Sequence, residues 1–196
     1  LLVGSDYVFP RSANAILRYK AEEMNLKITD ELYIPLGSND MSSIITSISK
    51  DKPDIVFNTV NGDSNLVLFK KITNLGYGTK RLPILSFSLA EAEIQSMDSQ
   101  HTLGHYAAWN YFQSLESPSN QRFLALLKKK SNMLISSDPM EAAYSGVHLW
   151  AKAVRAAGSA NPQLVRKNLK QSYLAPSGFV AIETSSQPIH KTAYIG

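Results

Sequence analysis

Three short stretches of the chain concentrate side chains able to hold a small molecule by hydrogen bonds: Gly4-Ser5-Asp6-Tyr7-Val8-Phe9-Pro10, Asn58-Thr59-Val60-Asn61-Gly62-Asp63-Ser64-Asn65 and Ser86-Phe87-Ser88-Leu89-Ala90-Glu91. Their hydrogen-bonding groups are mostly neutral. Hydroxyls, amides and a phenol can satisfy both the N–H donors and the carbonyl acceptor of a small uncharged ligand. A carboxylate on its own would favour a cation, and a guanidinium an anion. Tyr7 is the leading candidate, because an amphipathic aromatic can wall a pocket and still offer a hydrogen bond. Glu91 in the third stretch is a further candidate. Each also has a purely structural use: Asn, Asp, Gly and Ser are common turn and cap residues, and Glu91 with Glu93 suits the dipole at the start of a helix.

Catalytic chemistry finds no comparable foothold. The chain has no G-x-S-x-G elbow, no P-loop and no G-x-G-x-x-G, and Gly76-Tyr77-Gly78 lacks both the third glycine and a preceding strand. With no cysteine, thiol catalysis, thiolate metal sites and disulfides are excluded together, a composition that suits an oxidising compartment. The four histidines, at 101, 105, 148 and 190, show no metal-ligand spacing; His101 and His105 would converge only on a helix, which Gly104 opposes. No cofactor and no metal are expected.

Regular elements must position the three stretches, and the first half of the chain supplies them. A strand ending near Val3 leads to a helix from about Pro10, with Ala13, Ile16, Leu17, Ala21 and Met24 as its apolar stripe. Residues 28–34 read as a second strand. Asn39 or Asp40 caps a helix carrying Met41, Ile44, Ile45 and Ile48, and Pro53-Asp54 turns into the strand Ile55-Val56-Phe57. A third helix begins at Asp63 or Ser64, directs Leu66, Phe69 and Ile72 inward, and stops at Gly76. Pro83 opens a strand over residues 84–87, followed by a helix over 90–97. Alternating strands and helices call for an α/β fold, a doubly wound parallel sheet with helices on both faces. Ligands of such sheets sit beyond the carboxyl ends of the strands, which is where the three stretches fall.

The character changes after residue 104. Residues 104–112 are aromatic and extended, and helical patterns follow. Ser117 caps one helix, and Asp138, Pro139 and Glu141 form a capping box for the next, whose stripe is Met140, Ala143, Tyr144, Val147, Ala151 and Val154, ending at Gly158. A shorter helix starts at Asn161-Pro162. Residues 178–182 and 192–195 read as strands. The late helices have no evident strands nearby to cover, so their sheet is expected in a preceding segment of the polypeptide.

The bulk numbers fit a globular chain: 196 residues, 44% hydrophobic, 18% charged and a net charge of +4. No stretch approaches the roughly 18 consecutive apolar residues of a spanning helix. Lys and Arg are spread along the chain, with one run at Lys128-Lys129-Lys130 that suits a helix C-terminus, so no nucleic-acid partner is expected. The sequence opens inside a strand without Met or leader, and reads as a piece of a longer polypeptide.

Five segments carry a more specific signal: Gly-Ser-Asp-Tyr-Val-Phe-Pro-Arg (4–11), Phe-Asn-Thr-Val-Asn-Gly-Asp-Ser-Asn (57–65), Pro-Ile-Leu-Ser-Phe-Ser-Leu-Ala-Glu-Ala-Glu (83–93), Gly-His-Tyr-Ala-Ala-Trp-Asn-Tyr-Phe-Gln-Ser (104–114) and Ser-Asp-Pro-Met-Glu-Ala-Ala-Tyr (137–144). In this order they resemble the urea and short-chain-amide-binding proteins of ABC transporters, relatives of the amide sensor of the amidase operon. The resemblance implies the type I periplasmic binding protein fold of the leucine/isoleucine/valine-binding proteins, with two lobes that close on a ligand. It implies that residues 1–103 form most of the second lobe, 104–112 a hinge crossover, 113–175 helices belonging with the first lobe, and 176–196 strands returning to the second. It further implies that Tyr7 and Ser88 contact the solute, with Phe9, Pro10 and Asn61 as wall or rim. Residues 128–135 and the tail after Thr184 depart from the family pattern.

The function so implied is capture of urea or a short amide for an ABC permease, in the periplasm or another extracytoplasmic space. The alternative is a sensing domain fused to a signalling module, such as a histidine kinase, a cyclase or an amidase-operon regulator, binding a small amide or amino acid. An amidase-like enzyme is disfavoured because no nucleophile and base can be named. A further partner is expected to complete the first lobe: a missing N-terminal lobe segment or a second copy of the chain.

Overall fold

Hydrophobic strands alternate with helices through the first hundred residues, in a computed structural model that describes residues 1–78, 80–132, 135–183 and 189–196. The chain divides into two units, Leu1–Ala108 with Gly196, and Trp109–Ile195. In the first unit β1 (Leu2–Ser5), α1 (Val8–Glu23), β2 (Glu31–Ile34), α2 (Ser42–Asp51), β3 (Val56–Thr59), α3 (Ser64–Asn74) and β4 (Ile84–Ser86) follow in turn. Two single-turn helices, α4 (Glu91–Ile94) and α5 (Ser99–Thr102), lead to β5 (Tyr106–Trp109). One helix over 90–97 is expected; α4 ends at Ile94 instead, and Asp98 caps a separate turn by accepting the Gln100 N–H.

The second unit holds α6 (Pro118–Ser131), α7 (Asp138–Ala157), α8 (Pro162–Lys167), β6 (Ser172–Ala175), β7 (Gly178–Ile182), β8 (Ile189–His190) and β9 (Tyr194–Ile195). One sheet runs in the order β2-β1-β3-β4-β5-β9, and a second in the order β6-β7-β8. From β2 to β5 every pairing is parallel, so the expected α/β architecture is present. Terminal Gly196 exchanges two hydrogen bonds with Ala107.

Burial in the first unit follows the apolar pattern of its strands and of α2 and α3. Val3, Ile34, Met41, Ile44, Ile48, Val56, Leu68, Phe69, Ile72 and Ile84 form a closed core, and each such side chain contributes about 1.5–3 kcal/mol on burial. Helix α1 departs from its pattern. Its buried residues are Pro10 and Asn14, while Ile16 and Met24 of the expected stripe are exposed. Asn14 turns inward because its side-chain oxygen accepts from Thr59 Oγ1 at 3.1 Å.

Helix α7 departs in the same way. Asp138, Glu141, Ser145, Leu149 and Ala153 are its buried face, and Val147 of the expected stripe is 64% exposed. Ser137 is the N-cap, and neither Asp138 nor Glu141 serves a capping box. Strands do lie near it in sequence, contrary to expectation: Leu149 packs with Ala175, Val180 and Ile182, and Tyr173 rests against this cluster. The sequence reading overlooked β6, a short strand pressed against β7 in antiparallel register. Of the segments said to depart from the family pattern, residues 133–134 and 184–188 lie outside the described residues.

Candidate functional site

Parallel pairing of β1 with β3 and of β3 with β4 brings the three hydrogen-bonding stretches to one edge of the sheet, beyond the carboxyl ends of these strands. What holds them there is a buried polar network whose centre is Asn58, at an inward position of β3. Its Nδ2 donates to Asn65 Oδ1 at 2.8 Å and to Ser86 Oγ at 3.0 Å, and its Oδ1 accepts the Val60 N–H at 2.9 Å. The Val60 carbonyl in turn accepts from Asn65 Nδ2 and from Ser88 Oγ, each at 2.6 Å. The Asn61 N–H reaches Ser5 Oγ at 2.9 Å, joining the second stretch to the first. Buried polar groups left unpaired cost about 1–3 kcal/mol each, so this closed set strongly favours one loop conformation.

Close packing fixes the first stretch from below. A Cβ placed on Gly4 would lie 2.6 Å from Thr59 Oγ1 and 2.8 Å from Pro10 Cβ. Only glycine lets β1 run this near to α1. Pro10 is therefore a buried support of the turn, whereas Tyr7 and Phe9 remain 49% and 44% exposed. Tyr7 is the N-cap residue of α1 in extended conformation, and the helix has neither a side-chain cap nor an acidic residue in its first turn. Its positive end favours a carbonyl or carboxylate oxygen nearby.

Of the six sequence-derived candidates, the structure brings Tyr7, Phe9, Pro10, Asn61 and Ser88 to one sheet edge. Ser88 is half-buried and commits its hydroxyl proton to Val60, which leaves its oxygen as an acceptor. Asn61 is half-buried, with its backbone engaged by Ser5. Glu91 begins α4, and its neighbour Glu93 accepts the Ala90 N–H at 3.0 Å, so the acids there do helix-start work. Arg11, just after the first stretch, bonds Asp6 Oδ1 through its Nε at 2.8 Å, and this contact holds the Asp6 carboxyl below its usual range. Tyr7, Asn61 and Ser88 themselves offer neutral groups, and exposed Asp63 and the acids of α4 are the charges in the neighbouring positions. Sequence reasoning missed Asn58 as the organising residue, and its signal was an amide flanked by apolar neighbours inside the strand Val56–Thr59.

In the second unit, the first turn of α7 binds neighbouring chain segments. Asp138 Oδ2 accepts the Asn110 N–H at 2.9 Å, and burial raises its carboxyl pKa. Glu141, wholly buried, receives Lys191 Nζ at 2.6 Å, Ser145 Oγ at 2.6 Å and Ser177 Oγ at 2.9 Å. Beside it runs a ladder of rings, Tyr111, Phe123, Tyr144, His148 and Tyr173, with successive centroids 6.1, 4.8, 4.5 and 4.9 Å apart. Among the described residues no cluster of metal-ligating groups occurs, and no helix is long and apolar enough to cross a membrane.

Comparison with known proteins places this architecture. "Leu/Ile/Val-binding protein homolog 6" of Brucella suis is 25% identical over 200 residues, covering 98% of this chain and 51% of that protein. A solute-binding protein of an ABC transporter from R. palustris, solved with 4-hydroxybenzoate, superposes with a TM-score of 0.89 at 23% identity, covering 99% of this chain and 54% of that one. The leucine-, isoleucine-, valine-, threonine- and alanine-binding protein of Brucella ovis, in a closed conformation, gives 0.85 at 16%, covering 99% and 50%. At these identities the solved structures show a shared fold. The chain spans about half the length of the curated relative it matches. A family model for the periplasmic binding protein domain matches residues 1–196, and the chain belongs to that family.

Proposed function

We propose that this chain is part of the solute-binding component of an ABC transporter and captures a small polar solute, with urea or a short-chain aliphatic amide as the preferred class. The observation that carries the reading is the neutral rim of Tyr7, Asn61 and Ser88 on loops fixed by the Asn58 network. Those three side chains offer neutral hydrogen-bonding groups and no counter-charge, which favours an uncharged ligand. In this reading residues 1–103 act as the second lobe, 104–112 as a hinge crossover, and 113–175 as helices completing the first lobe together with a further segment or a second copy of the chain. Closure of the lobes around the solute delivers it to a permease, in an extracytoplasmic compartment.

A second reading is favoured by one feature, the uncapped start of α1 beside Tyr7 and Phe9. A positive helix end next to aromatic rings suits a small carboxylate, the chemistry of the hydroxybenzoate held by the R. palustris protein. Calorimetric titration with urea, acetamide, leucine and 4-hydroxybenzoate separates the two. Heat from urea or acetamide that Tyr7→Ala weakens supports the amide reading. Binding of 4-hydroxybenzoate alone replaces it with the carboxylate reading, and solute binding unaffected by Tyr7→Ala removes this rim from the site.

A further inference from the structure

Asn61-Gly62 is the one Asn-Gly pair in the sequence, and it sits in the loop between β3 and α3. An asparagine before glycine is chemically unstable when the next backbone nitrogen can reach the side-chain carbonyl, because glycine has no Cβ to obstruct the attack and turns freely about its backbone bonds. Both reacting groups of this pair are unoccupied: among the described residues neither the Asn61 side chain nor the Gly62 N–H makes a hydrogen bond. The main chain on either side is held, since the Asn61 N–H reaches Ser5 Oγ at 2.9 Å and the Gly62 carbonyl accepts the Asn65 N–H at 3.0 Å. Gly62 is exposed at φ +66°, and a Cβ built on it would meet nothing within 4 Å.

Other asparagines lack this combination. Asn58 and Asn65 engage their side chains with each other, with Ser86 and with the Val60 main chain. After Asn25, Asn39 and Asn74 the following N–H is already bound, to the Ala21 carbonyl, Ser38 Oγ and the Lys71 carbonyl.

We propose that Asn61 is a site of spontaneous deamidation through cyclisation onto the Gly62 nitrogen. That nitrogen attacks Asn61 Cγ; the new N–Cγ bond forms as Cγ–Nδ2 breaks, and Nδ2 leaves as ammonia with the Gly62 amide proton. Water then opens the cyclic imide. Cleavage of its bond to Cγ gives aspartate, and cleavage of its bond to the Asn61 backbone carbonyl carbon gives isoaspartate, which adds a methylene to the main chain. Either product puts an anion close in sequence to exposed Asp63, and isoaspartate also lengthens the path between the Ser5 and Asn65 contacts. The chemistry does not depend on the solute reading; its effect on recognition rests on the rim proposed above.

The test ages the 196-residue chain in warm, mildly alkaline buffer, both folded and in guanidinium chloride, and locates the conversion by peptide mapping with an isoaspartyl methyltransferase readout. Gly62→Ala and Asn61→Gln are aged alongside, and circular dichroism checks that both remain folded. The expected result is conversion of Asn61 in the folded chain ahead of every other asparagine, slowed at least tenfold by Gly62→Ala and absent at this position in Asn61→Gln. Asn61 converting only after unfolding, or no faster than another asparagine of the folded chain, would overturn the proposal. So would a folded Gly62→Ala chain that converts as fast as the parent. Peptide mapping needs no solute, so it decides the modification whatever the rim binds. Titration of fresh chain, aged chain and Asn61→Asp with acetamide then reads the consequence: affinity about tenfold weaker in both altered forms supports a carboxylate facing the solute. Conversion with affinity unchanged supports the modification and takes Asn61 out of the rim.

Discussion

Lys191 Nζ lies 2.6 Å from Glu141 Oε2, and the carboxylate it meets has no exposure to solvent at all. The partner comes from residues just before β9, and the Ser145 and Ser177 hydroxyls both donate to the other carboxylate oxygen, Oε1. A buried ion pair is worth little against an apolar pair of the same shape, but breaking it from one side strands a charge. Lys191→Met is expected to destabilise the fold by about 3–5 kcal/mol, and Glu141→Gln/Lys191→Met by clearly less than the two single losses added together. Urea unfolding of the four members of this cycle measures the difference.

Gly4→Ala is expected to cost about 1–3 kcal/mol, because the new methyl must displace Thr59 Oγ1 or Pro10 from contacts below 3 Å. Thermal unfolding checks the stability loss. Solute affinity should drop with it, since Thr59 and Pro10 underlie the stretches that carry Asn61 and Tyr7.

Tyr7→Ala is expected to weaken solute binding by about 1–3 kcal/mol with little change in stability, because the ring is half-exposed and makes no cap bond. Ser88→Ala should lower both affinity and stability, as its hydroxyl also braces the Val60 carbonyl. Calorimetry and urea unfolding on the same preparations distinguish the two patterns.

His105 Nδ1 accepts the Ile84 N–H at 3.1 Å, and the ring stands edge-on to Phe69 with centroids 5.3 Å apart. Burial lowers its pKa from 6.5 to about 4. The unfolded chain therefore takes up a proton between these values while the folded chain does not, and stability falls as pH drops from about 6.5 towards 4. Below 4 both forms are protonated and the loss is complete, at about 1–2 kcal/mol after allowing for partial solvation. Asp138 works in the opposite direction, since burial raises its pKa and acid relieves that penalty. The His105 share is isolated by His105→Asn, whose amide oxygen can replace the acceptor without titrating. Its stability curve should be flatter than the parent's across this window.

The first unit was legible wherever a buried surface is built from carbon. Met41, Ile44 and Ile48 of α2, and Phe69 and Ile72 of α3, recur at helical spacing and face the core. Periodicity failed wherever polar groups face inward in pairs. Asn14 of α1 and Glu141 of α7 are buried because Thr59 and Lys191 answer them from residues 45 and 50 positions away, and no local pattern records such a partner. Ile16, Val147 and Met24 were consequently assigned to the wrong side of their helices. The site divided along the same line. The stretches that reach the sheet edge could be named from strand ends, and the candidates within them from residue type and the family resemblance, whereas the role of Asn58 depends on Ser86, 28 residues later, arriving alongside.

The Val60 carbonyl, with Asn65 Nδ2 and Ser88 Oγ already bound to it, has both lone pairs occupied by the protein itself. A solute cannot draw on it, so in the proposed site recognition would fall to side chains that could be exchanged while the main-chain path stays as it is. Tyr7 and Phe9 can vary at little cost in folding, because neither holds the loop in place. Such a division lets one scaffold drift between ligand chemistries by changes at its outermost atoms, and makes the rim the natural place to re-engineer preference.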